Sequence, residues 1–439
     1  MKNQLSPARL TTLISADPVL APLVTSVTQR DARVEMRLPL FGNCVVVTVA
    51  PAAQGDWEVG LRSPSAHVST WYRETFVVDG KVTDRPWGET LLLRSGLPGT
   101  RRDVMTAVHE VVRLVHGARR QQEAGSFSKA SHFRAYWWSN QSNFGDAIGP
   151  FLGHHITGRR PVHSRRRGFN QRVLLSVGSL FSAIHWKHAD VWGTGLMFPL
   201  EDEHVQRLRR YDDVIVHAVR GKLTRAEVID KLGWSVPEVY GDPALLLPRY
   251  LPAPAGHGRV AEVAHFTQDA GLPDRGAGVE RVDVREDLRT VVAQIAGASA
   301  VVSSSLHGLI VAQAYGVPWV WIEVTDRQLG GADFKFRDFF SCLAPGTEVA
   351  HRRMTLSEWA AADPDQLARE ATLPKLDIDL DALLASFPGS PAKAEAIAPQ
   401  LPLSPRSWLR GSAPASLSAK AFRLLARRAR ILSNRGPKK

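Results

Sequence analysis

The segment Ser303-Ser304-Ser305-Leu306-His307-Gly308 stands between the apolar run Ala300-Val301-Val302 and an apolar stretch of helical length. Where a strand turns into a helix, free backbone N–H groups and the helix dipole favour an anion. The main chain and the hydroxyls of Ser303, Ser304 and Ser305 suit a phosphate or carboxylate there, and Leu306 and His307 begin the helix. A histidine at that position can donate a hydrogen bond or a proton. A capped helix with a solvent-facing histidine fits the same letters. Asn143-Phe144-Gly145-Asp146 is the second such group. Gly145 admits a ligand to the backbone, and Asp146 is placed to accept a proton from a hydroxyl, with a helix cap as the alternative. Arg220, closing Val219-Arg220-Gly221, is a natural partner for phosphate or carboxylate, or for an ion pair. Asp242 in Tyr240-Gly241-Asp242-Pro243 is expected to brace its turn.

The elements that must position these residues fall into a repeating rhythm. Residues 1–125 read as a small α+β unit: strand-like stretches at 32–41, 44–51, 57–63, 71–80 and 89–97, then a helix over 101–123 with Val104, Val108, Val111 or Val112, and Val115 on one face. No chemical motif stands out in it, and 123–133 reads as a linker. From 131 the order becomes strand, loop, helix. Two apolar strands end in a glycine and a hydroxyl residue, Gly178-Ser179 and Gly193-Thr194. Thr224 and Glu227 form a T-x-x-E capping box for a helix that Gly233 closes. Residues 240–244 read as an apolar strand closed by a turn, 237–248 complete that half, and 251–259 read as an interdomain crossing. Strand–helix alternation then continues through 256–388. Such alternation implies parallel sheets covered by helices on both faces. The predicted architecture is an α/β protein with two Rossmann-like domains, 131–250 and 256–388, facing a cleft and preceded by the N-terminal unit. Residues 389–439 read as a Pro/Ser-rich linker and a basic amphipathic tail.

Composition narrows the function classes. The chain has 439 residues, 44% hydrophobic and 22% charged, as expected of a globular protein. It holds no apolar run long enough to span a membrane and no signal-peptide core near the N-terminus. A cytoplasmic protein is the expectation. Cys44 and Cys342 are the two cysteines, so a disulfide framework and a cysteine-rich zinc site are excluded. Ten of the twelve net positive charges lie after Glu395, where no acid occurs. The body is therefore close to neutral, which argues against a nucleic-acid binder. The tail is expected to touch anionic membrane at its inner face. A second basic cluster, 158–169, reads as a solvated loop.

Taken together, "NFGD", "VGSLF", "VWGTG", "AVRGKLTRAEVIDKLG", "YGDPALLLP" and "SSLHGLIVAQAYGVPWV" resemble, in that order, the polysaccharide pyruvyltransferase family. The likeness spans about 131–345. It implies an architecture similar to the type B glycosyltransferases and phosphoenolpyruvate as donor. The acceptor would be a glycan or lipid-linked oligosaccharide whose sugar offers two hydroxyls, and the product a cyclic pyruvate ketal on an exported or cell-surface polysaccharide. No cofactor or metal is implied. Many members carry an arginine where this chain has Ser305. That departure shifts donor binding onto Arg220 and Lys335. On this reading His307, Asp146 and Arg220 are catalytic. Asn143, Gly145, Gly178, Ser179, Gly193, Thr194, Ser304, Ser305, Leu306 and Lys335 line the substrate site.

Two other readings compete. One is a type B glycosyltransferase using a nucleotide sugar, for which no nucleotide-reading pattern precedes the last strand. The other is a non-catalytic basic scaffold that binds glycan or membrane. Asp377, Asp379 and Asp381 resemble a metal-binding D-x-D, but Asp379 or Asp381 reads better as a helix cap. His154-His155 is a poor chelator because adjacent helical residues diverge.

Overall fold

A computed structural model of the chain describes residues 5–389, apart from 41–42, 53–54, 64–65, 86–87, 125–130, 165–171 and 277. Most of the expected linker, part of the 158–169 cluster and the basic tail therefore lie outside the described residues.

Residues 5–124 form α1 (Pro7–Ser15), β1 (Ser26–Arg30), β2 (Arg33–Leu40), β3 (Asn43–Pro51), β4 (Trp57–Arg62), α2 (Ala66–Thr75), β5 (Lys81–Arg85), β6 (Gly88–Leu97) and α3 (Arg101–Ala124). The sheet order is β1-β2-β3-β4-β6-β5, antiparallel throughout. Alternation puts Val34, Met36, Leu38 and Leu40 of β2 and Val45, Val47 and Val49 of β3 into the core, where α3 meets them. Val104, Val108, Val111, Val112 and Val115 are all buried, as their spacing predicted. Full burial of each stabilises the fold by roughly 1.5 kcal/mol or more.

One stretch differs from expectation. Residues 71–80 read as a strand because they are rich in aromatic and β-branched types, yet Ala66–Thr75 is helical. Tyr72 and Phe76 stand one helical turn apart and are both buried. That packing decides the conformation against local propensity.

The second unit comprises β7 (His132–Tyr136), α4 (Phe144–Thr157), β8 (Arg160–His163), β9 (Val173–Leu175), β10 (His188–Trp192), α5 (Asp202–Leu208), β11 (Asp213–Ala218) and α6 (Lys222–Leu232). The third comprises β12 (Val260–Val263), β13 (Val279–Arg281), α7 (Leu288–Ala296), β14 (Ala300–Ser303), α8 (Leu306–Ala314), β15 (Trp319–Val324), α9 (Ala332–Phe340), β16 (His351–Met354), α10 (Leu356–Ala361), α11 (Pro364–Ala368) and α12 (Leu380–Ala385). Each holds a five-stranded, all-parallel sheet, ordered β11-β10-β9-β7-β8 and β13-β12-β14-β15-β16. Strands β9, β12 and β14 are buried along their whole length, as parallel strands covered on both faces must be. The observed fold is thus mixed α/β with two parallel Rossmann-like sheets.

One apolar cluster runs through both parallel units. It joins Phe144, Ile148 and Leu152 of α4 to Val291 and Ile295 of α7 and to Leu309 and Ile310 of α8. The Phe144 N–H donates to Val284 O at 2.8 Å across the same seam. Segment 380–387, read as part of the second parallel unit, returns to the first. There Trp192 Nε1 donates to Leu383 O at 2.8 Å and Phe387 packs edge-on against the indole.

Three local expectations are corrected. Tyr240 makes a single bridge to Val219 in place of a strand, and Pro243–Arg249 is a 3-10 helix. The T-x-x-E pair is not a capping box, because α6 starts at Lys222 and puts Thr224 inside its first turn. Asp338 of α9 takes the N–H of Thr224 at 2.7 Å, while Glu227 accepts from Leu200 N–H at 2.7 Å. Helix α4 begins at Phe144 with Asn143 as its cap, so Asp146 lies within the helix. Gly233 does close α6 in the left-handed region, at φ 69°. Asp379 caps α12 as read.

Candidate functional site

His307 occupies the first turn of α8, and its place is cut out by glycines of the other parallel unit. A Cβ on Gly145 would stand 2.5 Å from its Cγ and 2.8 Å from its Cε1, and closer still to Nδ1. A Cβ on Gly178 would lie 3.9 Å from Cε1, and the Phe144 ring meets the imidazole edge-on at 6.4 Å. The loops that leave β7, β9 and β14 at their carboxyl ends therefore converge on one imidazole. The residue keeps partial exposure, but Nε2 is sealed from solvent and has no hydrogen-bond partner. Burial pushes the ring down to about 3, and Arg220 and Lys335 add to the shift. His307 is thus neutral at pH 7, and not the solvent-facing side chain that a plain capped helix would carry.

Lys335, on α9, is almost wholly enclosed. Burial and then Arg220 push it down to about 8. His265, just past the end of β12, is pushed down to about 3 by burial, then Lys335 and His307. No ion pair with a carboxylate among the described residues is formed by Lys335, His265 or His307. The charged neighbours that shift these three groups are all basic. Such a cluster resists its own protonation and would be relieved by an anion.

Asp146, one residue after the glycine that seats His307, is pushed up to about 8 by burial. At pH 7 it holds a proton. In the free protein it therefore starts as an acid, and it can accept a hydroxyl proton, as expected of it, only after giving up its own. Asp146 and His307 have been driven in opposite directions, the arrangement that separates acid from base in a reaction site.

Arg220 is not an open clamp. Its side chain is fully buried, with Nε on Asp338 Oδ2 at 3.0 Å, Nη1 on Ser179 Oγ at 2.8 Å and Nη2 on Leu196 O at 2.5 Å. Asp338 also accepts from Thr224 Oγ1 at 2.7 Å. The pair locks α9, and with it Lys335, onto the crest of the first parallel sheet. Gly195 makes room, since a Cβ there would stand 2.5 Å from the guanidinium carbon. Arg220 is accordingly a positioning residue that also lends positive potential.

The hydroxyls expected to hold an anion are turned inward. Ser303 Oγ donates to Val263 O at 2.8 Å, Ser304 Oγ accepts from His265 N at 3.0 Å, and Ser305 Oγ caps α8 by accepting from Gly308 N at 3.4 Å. Leu306 is buried in the core. Thr194 Oγ1 donates to Gly178 O at 2.7 Å and accepts from Leu180 N at 2.9 Å. Gly193 packs on Pro243, and Asn143 Oδ1 accepts from Gly145 N at 2.9 Å. These residues shape the crest loops; of the predicted set, Gly145, Gly178 and Lys335 gather about the His307 imidazole and its helix, with Asp146 next to Gly145 in the chain. Asp242 braces its turn as read, taking Ala244 N at 3.0 Å, and burial pushes its carboxyl up to about 6.

Two residues were missed. Asp338 carries no sequence signal, because its partners Arg220 and Thr224 lie more than a hundred positions away. His265 did carry one: like His307, it follows an apolar strand directly. Among the described residues no cluster of three or more His, Cys, Asp or Glu could hold a metal ion. No described helix is long and apolar enough to cross a membrane.

Comparison with known proteins gives this geometry a context. Residues 191–326 match the family model described as polysaccharide pyruvyl transferase. Over 254 residues the chain is 24% identical to uncharacterized protein L143 of Acanthamoeba polyphaga mimivirus, covering 56% of this chain and 84% of that protein. Over 238 residues it is 27% identical to succinoglycan biosynthesis protein ExoV of Rhizobium meliloti, covering 52% and 69%. A crystal structure of a functionally uncharacterized protein from Klebsiella pneumoniae aligns at 13% identity with a TM-score of 0.33, over 52% of this chain and 92% of that one. A score that low settles neither fold nor function.

The structure behind these matches is a pair of parallel α/β sheets that meet at a buried basic site. Through residues 191–326 the chain is similar to the polysaccharide pyruvyl transferase family. The matched span holds Arg220, His265 and His307, while Asp146, Lys335 and Asp338 lie outside it.

Proposed function

We propose that the protein transfers the pyruvyl group of phosphoenolpyruvate onto two hydroxyls of a glycan sugar, forming a cyclic ketal at the crest between two Rossmann-like domains of the type B glycosyltransferase kind. The observation that carries the reading is the enclosed basic cluster around His307. A donor bearing both a phosphate and a carboxylate would supply the negative charge that Lys335, His265 and His307 lack.

Ketal formation needs a proton on the methylene carbon of the donor, bonds from two hydroxyl oxygens to its C2, and cleavage of the C2–O bond to phosphate. Of the two hydroxyl protons, one replaces the proton spent on carbon and the other leaves with phosphate. Asp146, protonated at pH 7, delivers the proton to carbon and recovers it from a hydroxyl. Neutral His307 takes the other hydroxyl proton through Nε2 and passes it to the departing phosphate. Lys335 holds the donor's charge, and the buried Arg220–Asp338 pair keeps α9 in place beneath it.

The test is phosphate release from phosphoenolpyruvate with a panel of nitrophenyl glycosides that present two neighbouring hydroxyls, or one primary and one secondary. Release that depends on glycoside and proceeds without added nucleotide is expected. Consumption of the glycosides only when nucleotide sugars are supplied would replace this reading with glycosyl transfer.

A further inference from the structure

Strands β12 and β14 pair in parallel with Val263 opposite Ser303. Their carboxyl ends therefore release His265 and the Ser304–His307 turn side by side. The main-chain N–H of His265 donates to Ser304 Oγ at 3.0 Å, which fixes the two loops to each other. His265 Nδ1 lies 2.8 Å from Thr267 Oγ1 and accepts the Thr267 N–H at 3.3 Å. Accepting that bond requires a lone pair on Nδ1, so the proton of the neutral ring sits on Nε2. The ring lies against Phe266 at 4.4 Å. Lys335 and His307 are the titratable groups that shift it, and no acidic group contributes. A neutral imidazole whose Nε2–H is not used by the Thr267 contacts, held at a strand end next to the Ser304–His307 turn, is a hydrogen-bond donor suited to a phosphoryl group.

We propose that His265, as the Nε2–H tautomer, binds the phosphoryl group of the donor together with Lys335, leaving His307 free for proton transfer. This assignment rests on the pyruvyl-transfer reading for the identity of the donor, but not for the anion chemistry. It gives the site two histidines of different duty, one binding and one reacting. The inward-turned serines then need make no contact with phosphate.

Two substitutions separate the ring nitrogens. Asn carries its amide near Nδ1 and can keep the Thr267 bond, while Gln carries its amide near Nε2. Binding of inorganic phosphate and of phosphoenolpyruvate is measured by calorimetry at low ionic strength, alongside phosphate release with the glycoside panel. His265→Asn is expected to weaken both anions by about 10- to 100-fold, the loss of one charge-assisted hydrogen bond, and to raise KM for the donor with kcat within about threefold. His265→Gln is expected to stay within about threefold of the parent protein in both. Parent-like binding by the Asn variant overturns the assignment, and so does an equal loss in both variants accompanied by earlier melting. If the parent protein binds phosphate through His265 but transfers no pyruvyl group, the assignment stands and the donor reading falls. If transfer proceeds and His265→Asn leaves it untouched, the reading stands and the assignment falls. A parent protein that binds neither anion overturns both.

Discussion

Replacing Gly145 with alanine tests whether His307 acts from the position it holds. Gly145 sits in the first turn of α4, and a methyl there would stand 2.5 Å from His307 Cγ where ordinary contact begins at 3.4 Å. The imidazole must withdraw by roughly 1 Å, and a displacement of that size in a reacting group costs about 100-fold in rate. Stability should change far less. Alanine is preferred over glycine in helices by up to about 1 kcal/mol, which offsets part of an overpacking cost of about 1–3 kcal/mol. Gly117→Ala on α3 is the control, because a methyl there meets nothing within 4 Å. The assay is kcat/KM for phosphoenolpyruvate together with the circular-dichroism melt of each variant. A drop of about 100-fold at Gly145, with a melting temperature within a few degrees and an unaltered control, is expected. Normal turnover in Gly145→Ala would refute the placement of His307 at the reacting centre.

Three further outcomes follow from the same geometry. Above pH 8, kcat/KM should fall with a logarithmic slope approaching −2, because Asp146 loses its acid proton and Lys335 its charge, both near 8; Lys335→Arg should bring the slope toward −1, and a flat alkaline limb would dismiss both roles. His265 and His307 are held near 3, below the 6.5 of an exposed histidine, so they contribute stability above pH 6.5 that is lost as the pH falls toward 3; a bound anion should move that acid transition lower, and an unmoved transition in phosphate would argue against anion binding at the cluster. Asp338→Asn leaves the Arg220 charge buried without its partner and should cost about 3–5 kcal/mol in a denaturant melt, whereas a loss under about 1 kcal/mol would remove the pair from its place as the lock on α9.

How much of this was legible in the sequence depends on the range of the forces involved. The valines of α3 and the largely apolar runs of β9, β12 and β14 announce themselves because burial acts on every residue of a periodic segment. Helix α2 was hidden because Tyr72 and Phe76 look like strand residues until the core they fill is known. The Ser303–Ser305 run was correctly placed at a strand crest, but its hydroxyls were assigned to a ligand. Their partners are Val263 O, His265 N and Gly308 N, two of them on a neighbouring strand loop that sequence spacing does not reveal. Arg220 was recognised as chemically important for the same reason it was misassigned: a strand-end arginine needs an anion, and the anion proved to be Asp338, 118 positions away. The opposite protonation states of Asp146 and His307 come from burial in three dimensions, which residue types alone cannot give.

The most direct measurement is the product formed from phosphoenolpyruvate and a glycoside acceptor in D2O, read by mass spectrometry and NMR. The account predicts a cyclic ketal whose methyl group carries one deuterium, formed in equal amount with inorganic phosphate, and lost by about two to four orders of magnitude in His307→Gln. Ketal formation unchanged in His307→Gln, or transfer to the glycoside that draws on nucleotide sugar and leaves phosphoenolpyruvate intact, would contradict it.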